Sequence, residues 1–149
     1  MDGSIYIMGG LIDTSVERYD DENDVWSILS YMPTARGGIG VAAVEKKIYI
    51  SGGNEEVDGE VRKTKIVECF DTTTNTWIPV ASLNQARSHN HLHSFKRCLI
   101  AFGGDDLQEL DQYSTIANYN SEENVWTMKE GKINKVGCSY AFFMMMKCF

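Results

Sequence analysis

The residues of this chain best suited to chemistry lie together at His89-Asn90-His91-Leu92-His93. On a β-strand alternate side chains share a face, so the three imidazoles would line one side. H-x-H on a strand is one style of metal site, and imidazole suits zinc or copper. A working site needs further ligands and a supporting layer of hydrogen bonds, and the sequence holds no other histidine. The triplet is therefore read as buried or channel-lining histidines making hydrogen bonds, with no metal and no cofactor expected. The cysteines, Cys69, Cys98, Cys138 and Cys148, form no C-x-x-C pair, and their spacing is neither zinc-like nor that of a small disulfide framework. They read as reduced thiols of the cytosol or nucleus. Nothing local depresses the pKa of Cys98 or Cys138 convincingly, so both read as packing residues. P-loop, G-x-S-x-G and H-E-x-x-H patterns are missing, and no catalytic constellation assembles.

Bulk properties narrow the class further. A length of 149 residues suggests one domain. The net charge of −7, with Lys and Arg scattered apart from Arg62, Lys63 and Lys65, argues against nucleic-acid binding. The apolar run Ile5-Tyr6-Ile7-Met8 stops at a glycine pair, and the run Ala141 to Met146 is also short. Neither reaches the roughly 20 apolar residues of a membrane span. A soluble intracellular protein without a secretory signal is the expectation.

The elements that must position these residues repeat along the chain. A short β-rich run ending in two glycines occurs three times, at Ile5 to Gly9-Gly10, Ile48 to Gly52-Gly53 and Leu99 to Gly103-Gly104. A second motif recurs at Val16 to Asp20, Val67 to Asp71 and Ile116 to Asn120. Its aromatic residue stands seven positions before a tryptophan each time: Tyr19 and Trp26, Phe70 and Trp77, Tyr119 and Trp126. Three markers in register across three copies identify a repeat of about 50 residues. The runs are β-branched and aromatic, as suits strands covered on both faces. The glycine pairs permit a sharp exit, and the polar segments from Asp20, Asp71 and Asn120 read as hairpin turns. Each tryptophan is expected to pack between adjacent sheets. No sustained 3.6-residue apolar period exists, so essentially no helix is expected.

A repeat of this length with Gly-Gly, a spaced Tyr and a spaced Trp resembles the kelch repeats of the BTB-kelch (Kelch-like) adaptors. The resemblance implies an all-β, kelch-type propeller of four-stranded antiparallel blades, strand A innermost and D outermost. Two further positions match, Arg36 and Arg87, each ten residues after its tryptophan. The third copy departs, with Val136 at that position and Lys135 beside it. On this frame, 1–35 are strands B, C and D of one blade, 36–86 and 87–134 are full blades, and 135–149 carry a lone strand A, near Ser139 to Met145. That is about three blades of an incomplete ring, against the four to eight of closed propellers. The expectation is a truncated product or fragment, lacking the remaining blades and the BTB and BACK domains.

The resemblance also implies where partners bind. The loops after strand B and before strand A meet on one face around the channel. Carried over by position, the candidates are Asn54, Glu55, Glu56, Asp105 and Asp106 in the B–C loops, and Arg36, Gly38, Arg87 and His89 before strand A. The B–C loops, Asn54 to Lys65 and Asp105 to Ser114, are long and acidic. Against this, Arg36 and Arg87 at a repeat-defining position favour structural hydrogen bonds to carbonyls between blades. The implied function is protein binding without enzymatic activity: the substrate-recognition part of a cullin-3 ubiquitin-ligase adaptor, capturing a peptide segment of a ubiquitination substrate. The alternative is an actin-binding or cytoskeletal kelch protein, and a remote one is a kelch-fold copper oxidase, whose His, Tyr and Cys constellation does not assemble here. The implied location is cytoplasmic or cytoskeleton-associated.

Overall fold

A computed structural model describes residues 4–104 and 115–129, which form strands and no helix. No described helix is therefore long and apolar enough to cross a membrane. The first sheet runs β1 (Ile5–Met8), β2 (Ser15–Asp20), β3 (Val25–Tyr31) in spatial order. The second has the order β4 (Gly40–Val44), β5 (Lys47–Ser51), β8 (Val67–Asp71), β9 (Thr76–Pro79). Between β5 and β8 the chain forms a separate hairpin of β6 (Asn54–Val57) and β7 (Glu60–Lys63). The third sheet is β10 (His91–Phe95), β11 (Cys98–Phe102), β12 (Ile116–Asn120), β13 (Val125–Lys129). All neighbours are antiparallel, and the A strands β4 and β10 converge. The result is an arc of propeller blades whose first member has strands B, C and D.

Period-two alternation places the core. Ile48, Ile50 and Phe70 of the second sheet point back to Val16 and Met32 at the first. Tyr49, Val67 and Cys69, on its other face, meet Leu99, Ala101, Tyr119 and Trp126 of the third. A sheet buried on both sides has no polar face, which is why Ile48-Tyr49-Ile50 shows no alternation. Burial also pushes the Cys69 thiol above its ordinary value, keeping it a protonated packing group.

The tryptophans report on the same layering. Trp126 is 3% exposed, lies 5.0 Å from the Tyr119 ring, and donates from Nε1 to the Ala81 carbonyl of the preceding blade at 2.9 Å. Trp77 meets the Phe70 ring in a tilted contact at 5.2 Å and packs on the cluster shared with the first sheet. Trp26 keeps its contact with Tyr19, at 5.1 Å, yet is 41% exposed. Packing between adjacent sheets fails for Trp26 because no described residue lies beyond that face.

The C–D hairpins share one turn chemistry. The side chain of Asp20 accepts the N–H groups of Glu22 and Asn23, that of Asp71 those of Thr73 and Thr74, and that of Asn120 those of Glu122 and Glu123. Four residues later Asp24, Asn75 and Asn124 take φ of 54°, 55° and 52°, a left-handed conformation that Asn and Asp tolerate. The Thr73 N–H is the largest cause holding the Asp71 carboxyl below its ordinary value. A folded pKa below the unfolded one gives stability that is complete above about 3.9 and lost as pH falls through the folded value. Asn at this position, as in the third blade, keeps the turn without the charge. We expect Asp71→Asn to be less stable than wild type near neutrality, with the gap closing as the pH drops from about 6 to about 3; urea midpoints across that range measure it.

Candidate functional site

The segment between β3 and β4 carries Arg36, whose side chain is 0% exposed. A buried cation must be paired and hydrogen-bonded. Its Nη1 donates to the Gly52 carbonyl at 2.7 Å and the Ile66 carbonyl at 2.9 Å, and Nη2 meets the Glu68 carboxylate at 2.6 Å. The other Glu68 oxygen accepts the Thr34 hydroxyl at 3.1 Å. Gly52 and Ile66 bracket the B–C connection, so one planar guanidinium clamps both ends of the loop. The peptide around Arg36 also ties neighbouring blades: Gly10 N–H donates to the Arg36 carbonyl at 3.0 Å, while Gly37 and Asn54 exchange bonds of 3.1 and 2.7 Å.

The arrangement repeats one blade on. Arg87 Nη1 donates to the carbonyls of Gly103, at 2.9 Å, and Thr115, at 3.2 Å, and Nη2 to the Thr115 hydroxyl. The Arg87 carbonyl accepts from Gly53 at 2.7 Å. Here Ala117 occupies the register position of Glu68, opposite Ala101 as Glu68 is opposite Ile50. Arg87 thus lacks the carboxylate, and burial lowers its pKa. Gly52, at φ 60°, makes the close approach possible: a Cβ there would collide with the Arg87 carbonyl.

These contacts join the candidates of one face. Gly38 accepts the His89 N–H at 2.7 Å, with Asn54 one bridge away on Gly37. Arg36 and Arg87 lie beneath this surface as supports, and Glu55 stands partly exposed on β6. Asp105 and Asp106 lie outside the described residues, as do Lys135, Val136, Cys138, Cys148 and the segment from Ser139 to Met145. The first B–C segment is more ordered than its reading as a long loop: β6 and β7 pair with each other through an Asp58-Gly59 turn with φ of 55° and 78°, and Asn54 at the base of β6 bridges to Gly37. Asp-Gly flanked by strand-forming residues is a hairpin signature that the sequence already contained. Asn90, also unforeseen, is buried and donates to the Ser51 hydroxyl at 2.8 Å.

The histidines depart from their expected placement. His89 precedes β10 with a φ of 51°, which breaks the alternation that would align all three rings. Of the two alternatives, burial fails for His89 and His93, which are exposed, while His91 is half-buried and stacks on Phe102 at 5.4 Å. Among the described residues, no group of three or more His, Cys, Asp or Glu side chains is placed to hold a metal.

A family model described as Kelch motif matches residues 1–33 and 35–84. Kelch-like protein 25 of Xenopus tropicalis is 33% identical over 135 residues, 84% of this chain and 23% of that protein. Alpha-scruin of Limulus polyphemus is 33% identical over 120 residues, 78% of this chain and 13% of that protein. The chain thus spans less than a quarter of the length of these curated relatives. Among solved structures, one titled "Structure of YjhT" superposes with a TM-score of 0.77 at 14% identity, covering 90% of this chain and 50% of that one.

Two predictions follow from the clamp. Arg36→Lys keeps the charge but not the fork that serves two carbonyls and a carboxylate. It is expected to lose roughly 3–5 kcal/mol in urea unfolding, nearly as much as Arg36→Ala. Gly52→Ala, blocked by a backbone carbonyl, should cost roughly 3 kcal/mol or more. Gly59→Ala, at a positive φ but with open space around it, should cost only about 1 kcal/mol in the same assay.

Proposed function

The chain belongs to the kelch-repeat family, and on that footing we propose that it is a non-enzymatic protein-interaction module. Its B–C face, led by the β6–β7 hairpin, captures an extended segment of a partner protein. The observation that carries this reading is the contrast between base and tip. The hairpin rests on Gly52, Gly53 and the buried Arg36 and Arg87 clamps, whereas Glu56, Asp58, Glu60, Val61 and Arg62 are exposed. An exposed loop on a rigid scaffold is where binding residues concentrate. The two hairpin strands have no other strand partner among the described residues, which suits main-chain pairing with an extended peptide. Glu55, Glu56, Asp58 and Glu60 outnumber Arg62 and Lys63, which favours a partner segment of basic character.

The finer reading is a substrate-recognition element of a cullin-3 ubiquitin-ligase adaptor, with the likeness to Kelch-like protein 25 as its support. The equal likeness to Alpha-scruin supports the second reading, a cytoskeletal kelch protein with actin as partner. The test compares the chain with a variant whose residues 55–62 are replaced by a two-residue turn. The interaction-module reading expects partners captured by crosslinking with the chain to be lost with the variant, at an unchanged melting temperature. An identical partner set overturns it. Fusing the chain to a BTB domain should then direct cullin-3-dependent ubiquitination of those partners; no such dependence, together with co-sedimentation with actin filaments, would favour the second reading.

A further inference from the structure

The turns that join β4 to β5 and β10 to β11 lie at the end of the blades opposite the B–C connections, because consecutive antiparallel strands reverse direction. Phe95 pairs with Cys98 across Lys96-Arg97, and Val44 pairs with Lys47 across Glu45-Lys46. Lys96 and Arg97 take φ of 48° and 66°, and Glu45 takes 56°. A two-residue hairpin turn with positive φ at both positions suits Asn-Gly or Asp-Gly. The Asp58-Gly59 turn is built that way. The Cβ of Lys or Arg makes the same conformation unfavourable, and neither has the short polar side chain that compensates. Among the described residues, Asn, Asp and Gly account for every other positive φ except that of His89. The ladder does not require Lys and Arg in this turn, so strain accepted there points to what their side chains do outside it.

The two turns meet. Arg97 Nη2 lies 2.7 Å from a Glu45 carboxylate oxygen, an ion pair that bridges the second and third blades. Its side chains are 81% and 62% exposed, and a pair so open to water adds little to stability. Glu45 is therefore easily replaced by another carboxylate. Lys46 and Lys96 stand beside the pair in sequence, and both are exposed. Each turn is anchored: the Lys46 carbonyl accepts the Thr72 N–H at 2.9 Å and its hydroxyl at 2.8 Å, and the Lys96 ammonium lies 5.4 Å from the centre of the Phe95 ring. Lys47 is half-buried opposite Asp71. The turns thus gather Lys46, Lys47, Lys96 and Arg97 around Glu45 in a chain of net charge −7. The exposed Glu122 and Glu123 share this end, on the β12–β13 turn, two strand spacings or roughly 10 Å from the β10–β11 turn.

We propose that this end is a further docking surface, which takes a short acidic segment of a partner protein laid across the turns from Lys46 to Lys96. A partner carboxylate replaces Glu45 on the Arg97 guanidinium, which offers two parallel N–H donors, and the two ammonium groups add charge on either side. Screening limits the reach of each charge to about 8 Å at physiological ionic strength. A short segment therefore meets the cations of the turns, whereas a long polyanion runs onto Glu122 and Glu123. The surface lies at the opposite end of the blades from the β6–β7 hairpin, so an acidic segment here and a basic one there can be held together.

The test is the fluorescence anisotropy of a labelled oligoglutamate peptide titrated with the 149-residue chain at low salt. Saturable binding is expected. Lys96→Glu combined with Arg97→Glu should weaken it at least about tenfold. The same change of net charge at Arg62→Glu with Lys65→Glu, at the other end of the blades, should weaken it less than about twofold. Lys96→Asn with Arg97→Gly gives the turn the residues its conformation prefers. It should raise the melting temperature by roughly 2–4 °C while still losing the peptide, a combination that a purely structural turn would not produce. Replacing residues 55–62 by a two-residue turn should leave oligoglutamate binding unchanged, so this surface and the B–C face stand or fall separately. No saturable binding by the wild-type chain, equal weakening by the two charge-reversed pairs, or an Asn-Gly variant that melts below wild type overturns the proposal.

Discussion

A guanidinium with no access to water must find acceptors inside the protein, and that requirement organises everything around Arg36. Two of its bonds go to backbone carbonyls: that of Gly52, and that of Ile66, which also accepts the Gly52 N–H at 2.9 Å. A buried carbonyl left alone is costly, and an unpaired buried cation far more so, and the guanidinium meets both needs at once. The third bond, to Glu68, neutralises the charge from the strand that forms the wall of the blade. Because the acceptors lie at both ends of the B–C connection, the loop enters and leaves at a fixed separation whatever its sequence between. The glycines follow as a consequence, since a Cβ on Gly52 would occupy the space of the Arg87 carbonyl.

Burial of sheet faces supplies the other constraint, and it is unevenly met. In a linear array each repeat is stabilised by its own pairing and by the interfaces with its neighbours. The second blade has both interfaces and contains Ile50, Phe70 and Cys69 at 0–1% exposure. The first has one among the described residues, where Ile5, Ile7 and Ile28 are exposed. The two junctions also differ in polar detail. Between the second and third blades, the Asn124 side chain accepts both the Tyr119 hydroxyl and the Ala81 N–H, and Trp126 donates back to the Ala81 carbonyl. At the earlier junction Phe70 has no hydroxyl to offer, and Trp77 Nε1 makes no hydrogen bond. Electrostatics compensates there: Arg36 has its carboxylate, whereas Arg87 makes do with Thr115.

Much of this was legible in the sequence because the repeat is a packing rule written three times. The seven-residue spacing from Tyr19 to Trp26 is the pairing register of β2 and β3, which sets those residues opposite each other. The ten-residue spacing from tryptophan to arginine is the length of chain that carries a blade's outer strand to the next blade's clamp. What escaped were local features that the repeat markers do not include. The β6–β7 hairpin is described in one blade, where the local signal was Asp58-Gly59 rather than a repeat. The histidine triplet misled because alternation was applied one turn too early: His89 belongs to the left-handed turn that delivers the chain into β10. The exposure of Trp26 was illegible for a different reason, since burial depends on the neighbour and the motif is identical to that of a buried copy.

This separation of frame from loop explains why the fold is so much easier to read than the function. The same clamp geometry holds Gly52 to Ile66 in one blade and Gly103 to Thr115 in the next, across connections of different length. In the first blade the corresponding connection shrinks to residues 11–14, and the strands still pair in register. A frame indifferent to what it encloses leaves the enclosed residues free to vary with the partner rather than with the fold. Glu55, Glu56 and Asp58 are therefore under no packing constraint that their sequence could betray. Arg36, by contrast, is fixed by three acceptors, and its identity speaks of the scaffold. The residues that repeat are the ones that build the face, and the residues that do not repeat are the ones the frame leaves free for the proposed recognition of a partner.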